Sequence, residues 1–112
     1  MNSISVKVCG ITNSEDAELA IKLGAEKLGF ILHDNSPRKI KLNEVENLKK
    51  ELQLNPNQMV AVEVIPEINF VKKMLDHGFE KFQFHFPYDF SRKQIEEWTN
   101  LVGSEDLWLA PR

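Results

Sequence analysis

A cysteine near the start of the chain is the first residue with a clear chemical use. Residues 4–9 alternate around β-branched side chains and predict a short strand, with Cys9 at its carboxyl end just before a predicted helix. Lys7, two residues back on the same strand face, or the N-terminus of that helix would favour the thiolate. Such a thiolate can act as a general base or as a nucleophile. The alternative is a small buried cysteine without a reaction to perform.

Three further residues are candidates for contact with a ligand. Arg38 follows Pro37 in a loop between a strand and a helix, where its planar guanidinium would suit a carboxylate or a phosphate. A solvent-exposed loop cation is the alternative. Gln83 and His85 are two residues apart on a predicted strand and therefore share one face, with phenylalanines on the other face. Such a polar pair would meet a ligand or ordered water, or would be hydrogen-bonded within the core.

Three other polar residues do not form a catalytic or metal-binding pattern. Glu63 interrupts an apolar strand, so it lies either near the mouth of a site or in a salt bridge, and the sequence leaves both open. His33 lies beside Asp34, but one histidine and one carboxylate do not make a metal-ligand spacing. His77 comes just before a helix-ending glycine, where a cation would suit the helix dipole.

All of these residues belong to a regular alternation of strands and helices, β-α-β-α-β-α-β-α-β, across residues 1–112. Such alternation with short connections implies parallel strands and right-handed crossovers. A doubly wound open sheet fits this order, and so does the amino-terminal part of a (β/α)8 barrel with about five of its strands. The predicted strands are residues 4–9, 27–32, 59–65, 81–86 and a fifth that starts at Leu107.

Local signals predict where the helices begin and end. Glycine is the usual residue just after a helix, and Gly24, Gly78 and Gly103 stand at such positions. Short polar residues and proline mark the starts. The predicted start signals are Asn13 or Ser14, the capping-box pair Asn43 and Glu46, Pro66 in a first turn, and the pair Ser91 and Gln94.

Composition excludes several classes of protein. The chain has 112 residues, of which 42% are hydrophobic and 28% charged, as is typical of one globular domain. Its net charge of -3, without a cluster of Lys and Arg, argues against a nucleic-acid or membrane partner. One cysteine excludes an internal disulfide and a Cys-rich zinc site. Because no long apolar run and no signal peptide is present, we expect a cytoplasmic protein. The five glycines are isolated, so the sequence contains no glycine-rich phosphate loop.

Several segments, in this order and at this spacing, resemble the phosphoribosylanthranilate isomerase family. The combination of KxCGxT with SPR is the most specific part, and the resemblance runs through essentially the whole chain. The matching segments are VKVCGIT (6–12), DA (16–17), LGA (23–25), LGFI (28–31), SPR (36–38), VAVEV (60–64) and FQFHF (82–86).

The resemblance implies a TIM barrel and an Amadori-type isomerisation of N-(5-phosphoribosyl)anthranilate in tryptophan biosynthesis, without a cofactor or a metal. It implies that Cys9 is the general base that takes the proton from ribose C2. It also implies that Arg38 binds the anthranilate carboxylate and that Gln83 and His85 line the pocket. Lys7, in the same motif as Cys9, is a further expected substrate-binding residue for this small phosphosugar.

Two positions depart from the family pattern. Glu63 stands where the family commonly has Phe, and Phe86 stands where it has Gly, so we expect a different shape for the loop after the fourth strand. The family's general acid belongs to the sixth strand, and its phosphate is bound after the seventh and eighth. We therefore expect residues 1–112, a single incomplete barrel domain, to be inactive alone and to self-associate through their open edges.

Two alternatives remain at this stage. One is a non-catalytic half-barrel that self-associates or binds a small anion. The other is an open-sheet enzyme that uses Cys9 as a nucleophile, with His85 as the candidate partner of the thiol.

Overall fold

The computed structural model describes residues 6–111, which alternate between strands and helices as the sequence predicts. Residues 4 and 5 of the first predicted strand lie outside this range. No helix in the described range is long and apolar enough to cross a membrane. The elements are β1 (Lys7–Cys9), α1 (Ser14–Lys22), β2 (Lys27–Ile31), α2 (Leu42–Leu52), β3 (Met59–Val64), α3 (Ile68–Asp76), β4 (Lys81–Phe86), α4 (Arg92–Val102) and β5 (Leu107–Pro111), with short 3-10 turns at Pro56–Gln58 and Ser104–Asp106.

The strands form one parallel sheet in the order β1-β2-β3-β4-β5. Each strand therefore pairs with its neighbour in sequence, and each connection between strands crosses over through a helix. The register places Cys9 opposite Gly29 and Val62 opposite Gln83. The predicted parallel sheet is confirmed.

The four helices within residues 6–111 pack on the same face of this sheet. Alternate strand residues, such as Phe30 of β2 and Phe84 of β4, form one hydrophobic core with residues of every helix, among them Ala17, Val45 and Trp98. A doubly wound sheet needs helices on both of its faces. The open-sheet alternative is therefore wrong, and with it the open-sheet thiol enzyme. The sheet curls as half of a barrel and leaves a concave inner face.

Trp98 of α4 ties the carboxyl ends of β3 and β4 to the helix layer. Its buried indole N–H donates a hydrogen bond of 2.9 Å to the carbonyl of Pro66. The rings of Phe84 and Phe90 lie 5.2 and 5.5 Å from its own. Phe86 is buried against the rings of both Trp98 and Phe90, each at 6.1 Å. This aromatic contact anchors the loop between β4 and α4.

Two helix starts follow the predicted capping. The side-chain oxygen of Asn13 accepts a 2.8 Å hydrogen bond from the backbone N–H of Asp16. Ser91 accepts in the same way from the N–H of Gln94 at 3.4 Å. Both bonds satisfy a backbone donor that the first helical turn leaves without a partner.

The starts of α2 and α3 correct the predictions. Helix α2 begins at Leu42, because this places Leu42 and Val45 in the core. Its capping residue is therefore Lys41, whose N–H donates to the carboxylate of Glu44 at 3.0 Å, instead of the predicted pair Asn43 and Glu46. Helix α3 begins at Ile68, so Pro66 precedes the helix instead of lying in its first turn.

Candidate functional site

The concave face of the sheet gathers four of the five predicted site residues. Lys7 and Cys9 are alternate residues of β1 and share its inner face. The strand register assigns Gln83 and His85 of β4 to that same inner face, opposite the phenylalanines of the core. The fifth, Arg38, reaches this region from the loop between β2 and α2.

Cys9 lies directly over a glycine of the neighbouring strand. It is half-buried and pairs in register with Gly29 of β2. A Cβ atom at Gly29 would lie 2.7 Å from the Cys9 sulfur and 3.1 Å from its Cα. Real Cβ atoms do not approach a sulfur so closely, so the thiol occupies the space that any other residue at position 29 would fill.

Arg38 lies against the backbone of the cysteine segment. Its guanidinium donates a long hydrogen bond of 3.5 Å to the carbonyl of Cys9. It covers Gly10, where a Cβ would lie 2.7 Å from the Arg38 Nη1 atom and where the backbone has a φ of 85° that favours glycine. The backbone N–H of Arg38 itself is bound by the Ser36 hydroxyl at 3.2 Å. The cation is exposed and is placed beside the thiol-bearing residue.

Lys7, Gln83 and His85 form a hydrogen-bonded chain across the concave face. The ammonium of Lys7 donates to the side-chain oxygen of Gln83, which joins the first strand to the fourth. The side-chain nitrogen of Gln83 lies 3.2 Å from Nε2 of His85. The structure therefore brings three predicted site residues into direct contact, while Cys9 and Arg38 form a second pair at the end of β1.

Three residues of this region were missed at the sequence level. Lys27 and Trp108 line a cavity of about 480 Å³ together with Lys7 and Gln83. Trp108 is the register partner of Gln83 and shares its face. The available signal was the period of two along the fifth strand, which places Trp108 on the face opposite to Leu107 and Leu109. The signal for Gly29 was a glycine inside an apolar strand, which often marks close approach of another group.

Glu63 lies on the helix-facing side of β3, away from the concave face. It is 7% exposed, and its carboxyl oxygen accepts a hydrogen bond from the N–H of Val64 at 2.7 Å and lies 3.0 Å from His33 Nδ1. Burial raises the pKa of Glu63, and its hydrogen bond with Val64 and the pairing with His33 counteract only part of that effect. The structure thus pairs Glu63 with His33, as the salt-bridge alternative predicts.

His77 also has a carboxylate partner. Its Nδ1 lies 2.6 Å from the carboxylate of Glu46, which joins the end of α3 to α2. This pairing accounts for Glu46, the residue wrongly assigned to the capping box.

Comparison with known proteins identifies the family of this arrangement. The family model described as N-(5'phosphoribosyl)anthranilate (PRA) isomerase matches residues 6–104. A relative of that name from Petrotoga mobilis is 45% identical over 104 residues, which cover 93% of this chain and 42% of the relative. The chain spans about half the length of the curated relatives it matches.

Solved structures agree with the fold. A phosphoribosyl anthranilate isomerase from Thermus thermophilus superposes with a TM-score of 0.74 at 29% identity, over 96% of this chain and 50% of that one. A second isomerase structure, in complex with reduced 1-(o-carboxyphenylamino)-1-deoxyribulose 5-phosphate, has a TM-score of 0.75 at 24% identity and covers 89% of this chain and 50% of its own. The five parallel strands are thus half of a TIM barrel, and the chain belongs to the N-(5'-phosphoribosyl)anthranilate isomerase family.

Proposed function

We propose that this chain supplies the base-bearing half of an enzyme that isomerises N-(5-phosphoribosyl)anthranilate to 1-(2-carboxyphenylamino)-1-deoxyribulose 5-phosphate, in the tryptophan pathway of the cytoplasm. The observation that carries the proposal is the pairing of Cys9 with Arg38 at the carboxyl end of β1. Catalytic groups of TIM barrels lie at this end of the strands. The placement suits a thiol base and an anion-binding cation that act on one small substrate.

Each residue has a distinct part in this proposal. Once the general acid of the complementary half has opened the furanose ring to the imine, the Cys9 thiolate takes the proton from ribose C2. The electron pair of that C–H bond becomes the C1=C2 double bond, and the π pair of the C=N bond moves onto the anthranilate nitrogen to give the enolamine intermediate. Arg38 binds the anthranilate carboxylate through its guanidinium. Lys7, Gln83 and His85 bind the substrate from the concave face, where their hydrogen-bonded chain fixes their positions.

The proposal also assigns the remaining groups to a complementary half. Residues 1–112 form a single incomplete domain whose general acid and phosphate-binding loops come from further strands. We therefore propose that these residues alone turn over the substrate too slowly to support tryptophan synthesis. The coverage of about half of each relative supports this division.

A chimera tests the proposal. Residues 1–112 would replace the matching segment of the Petrotoga mobilis relative, giving a protein that we call the half-barrel chimera. We expect the chimera to isomerise the substrate, its Cys9→Ser variant to be severely impaired, and residues 1–112 alone to show no turnover. A folded chimera without activity would contradict the catalytic role of residues 1–112. Turnover by residues 1–112 alone would contradict the proposal that the general acid and the phosphate-binding loops belong to a complementary half.

A second candidate is a non-catalytic half-barrel that self-associates. Exposed apolar side chains on both edge strands favour it: Val8 on β1, and Trp108 and Leu109 on β5 are each at least 36% exposed. Unpaired strand edges beside such side chains favour pairing with another copy. Sedimentation of residues 1–112 tests this candidate, because a dimer at micromolar concentration would support it and a monomer would exclude it.

A further inference from the structure

The hydrogen bonds among Lys7, Gln83 and His85 have fixed donors and acceptors, which the family resemblance does not specify. An ammonium group can only donate hydrogen bonds, so the atom of Gln83 that faces Lys7 must be the amide oxygen. The amide nitrogen, which can only donate, is then the atom that faces His85 Nε2 at 3.2 Å. Lys7 thereby removes the ambiguity that the orientation of a glutamine side chain usually carries.

A donor at Gln83 dictates the protonation of its histidine partner. If His85 Nε2 carried a proton, two N–H groups would face each other and no hydrogen bond would form. The contact is favourable only when Nε2 offers its lone pair, which in a neutral imidazole leaves the proton on Nδ1. We propose that Lys7 acts through Gln83 to hold His85 as the neutral Nδ1–H tautomer.

This tautomer has a consequence for the site. With Nε2 accepting from Gln83, His85 cannot take a proton from a substrate through that atom. Lys7 and Gln83 are therefore positioning residues for His85, and proton abstraction is left to the thiol of Cys9. This last consequence rests on the proposed function, whereas the tautomer itself does not.

Nitrogen-15 NMR of the imidazole rings in the full chain tests the tautomer without an activity measurement. At pH 7.5 we expect the His85 spectrum to show an unprotonated Nε2 and a protonated Nδ1. His33 and His77, which pair with carboxylates, serve as internal references. A proton on His85 Nε2 in the wild-type chain would overturn the proposal, whether or not any variant folds.

Variants then test the direction of the contacts. In Gln83→Glu the carboxylate would accept from both neighbours, so we expect the His85 proton to move to Nε2. In Lys7→Met the amide is free to rotate, and we expect a mixture of tautomers. Lys27→Met is the matched control, because the ammonium of Lys27 binds the carbonyl of Asn57 instead of Gln83. An unchanged His85 spectrum in Gln83→Glu would contradict the proposed control of the His85 tautomer by Lys7 and Gln83. A change in Lys27→Met equal to that in Lys7→Met would contradict it as well.

Activity of the half-barrel chimera separates the tautomer from the proposed function. If His85 has the expected tautomer and the folded chimera is inactive, the isomerase proposal fails while the tautomer proposal stands. If the chimera is active and His85 has a proton on Nε2, the tautomer proposal fails and the isomerase proposal stands.

Discussion

The sulfur of Cys9 lies where the side chain of Gly29 would begin. The two residues are register partners on neighbouring parallel strands, and a Cβ at position 29 would meet the sulfur at 2.7 Å. The position of the thiol thus depends on a missing side chain one strand away. Substitution of that glycine tests how closely the position matters.

Gly29→Ala is expected to destabilise the chain by about 1–3 kcal/mol, the usual cost of adding atoms to a filled site. Part of the clash is with the Cys9 backbone at 3.1 Å, so a change of side-chain rotamer alone does not relieve it. Urea denaturation of the single variant and of Gly29→Ala/Cys9→Ala gives the test. The double variant lacks the sulfur and should recover part of the loss; equal losses in both would show that the sulfur contact is unimportant.

Cys9→Ser in the half-barrel chimera is expected to lower kcat by about a hundredfold to ten-thousandfold, the usual contribution of a general base. The hydroxyl keeps nearly the same shape but is a much weaker base at neutral pH. The value of KM should change far less than kcat, because the proton moves only in the transition state. Steady-state kinetics measures both, and an unchanged kcat would remove Cys9 from the mechanism.

Arg38→Ala in the same chimera is expected mainly to raise KM. A hydrogen bond to a charged group contributes about 1.5–3 kcal/mol, which corresponds to roughly a tenfold to a hundredfold change. The carboxylate contact is made in the ground state and in the transition state alike, so kcat should change little. Lys39→Ala is the matched control, since it removes the neighbouring exposed cation of the same loop. A loss confined to kcat would contradict substrate binding by Arg38.

Glu63→Gln is expected to change how stability depends on pH. Burial raises the pKa of Glu63 above its ordinary value of 4.5, with Asp34 acting in the same direction. The folded chain therefore holds this proton more tightly than the unfolded chain, and its contribution to stability is full below pH 4.5 and is lost as pH rises through the folded pKa.

Urea denaturation at several pH values measures this effect. Because Gln keeps an oxygen that can accept from Val64 and His33, the variant should lack the decrease in unfolding free energy that the wild type shows above pH 4.5. Glu67→Gln removes an exposed carboxylate from the loop that follows β3; it is the control and should behave like the wild type. Identical pH profiles for Glu63→Gln and the wild type would contradict the assignment.

The sequence predicts the elements of this fold well, because strand and helix periodicities are local. The shared face of Gln83 and His85 follows directly from a period of two. The contact between Lys7 and Gln83 depends on the curl of the sheet, which brings β1 and β4 together from distant parts of the chain. No local pattern contains that information.

Helix α2 shows the same limit at a smaller scale. Its capping residue is set by the need to bury Leu42, and the spacing of Asn43 and Glu46 is then irrelevant to the cap. Glu46 instead contacts His77, and Glu63 contacts His33. The partner of each carboxylate depends on tertiary structure. The sequence therefore indicates which polar residues are notable but not which of them contact each other.

The order of the strands also bears on how the chain acquires its structure during synthesis. The strands pair in sequence order, β1 with β2, β2 with β3, β3 with β4 and β4 with β5. Each strand from β2 onward therefore finds a partner in the strand translated just before it. Short loops close at a low entropic cost and fold quickly. The sheet can therefore grow strand by strand as the chain leaves the ribosome. The contact between Lys7 and Gln83 can form only after β4 has been added, and its appearance would report that the curl is complete.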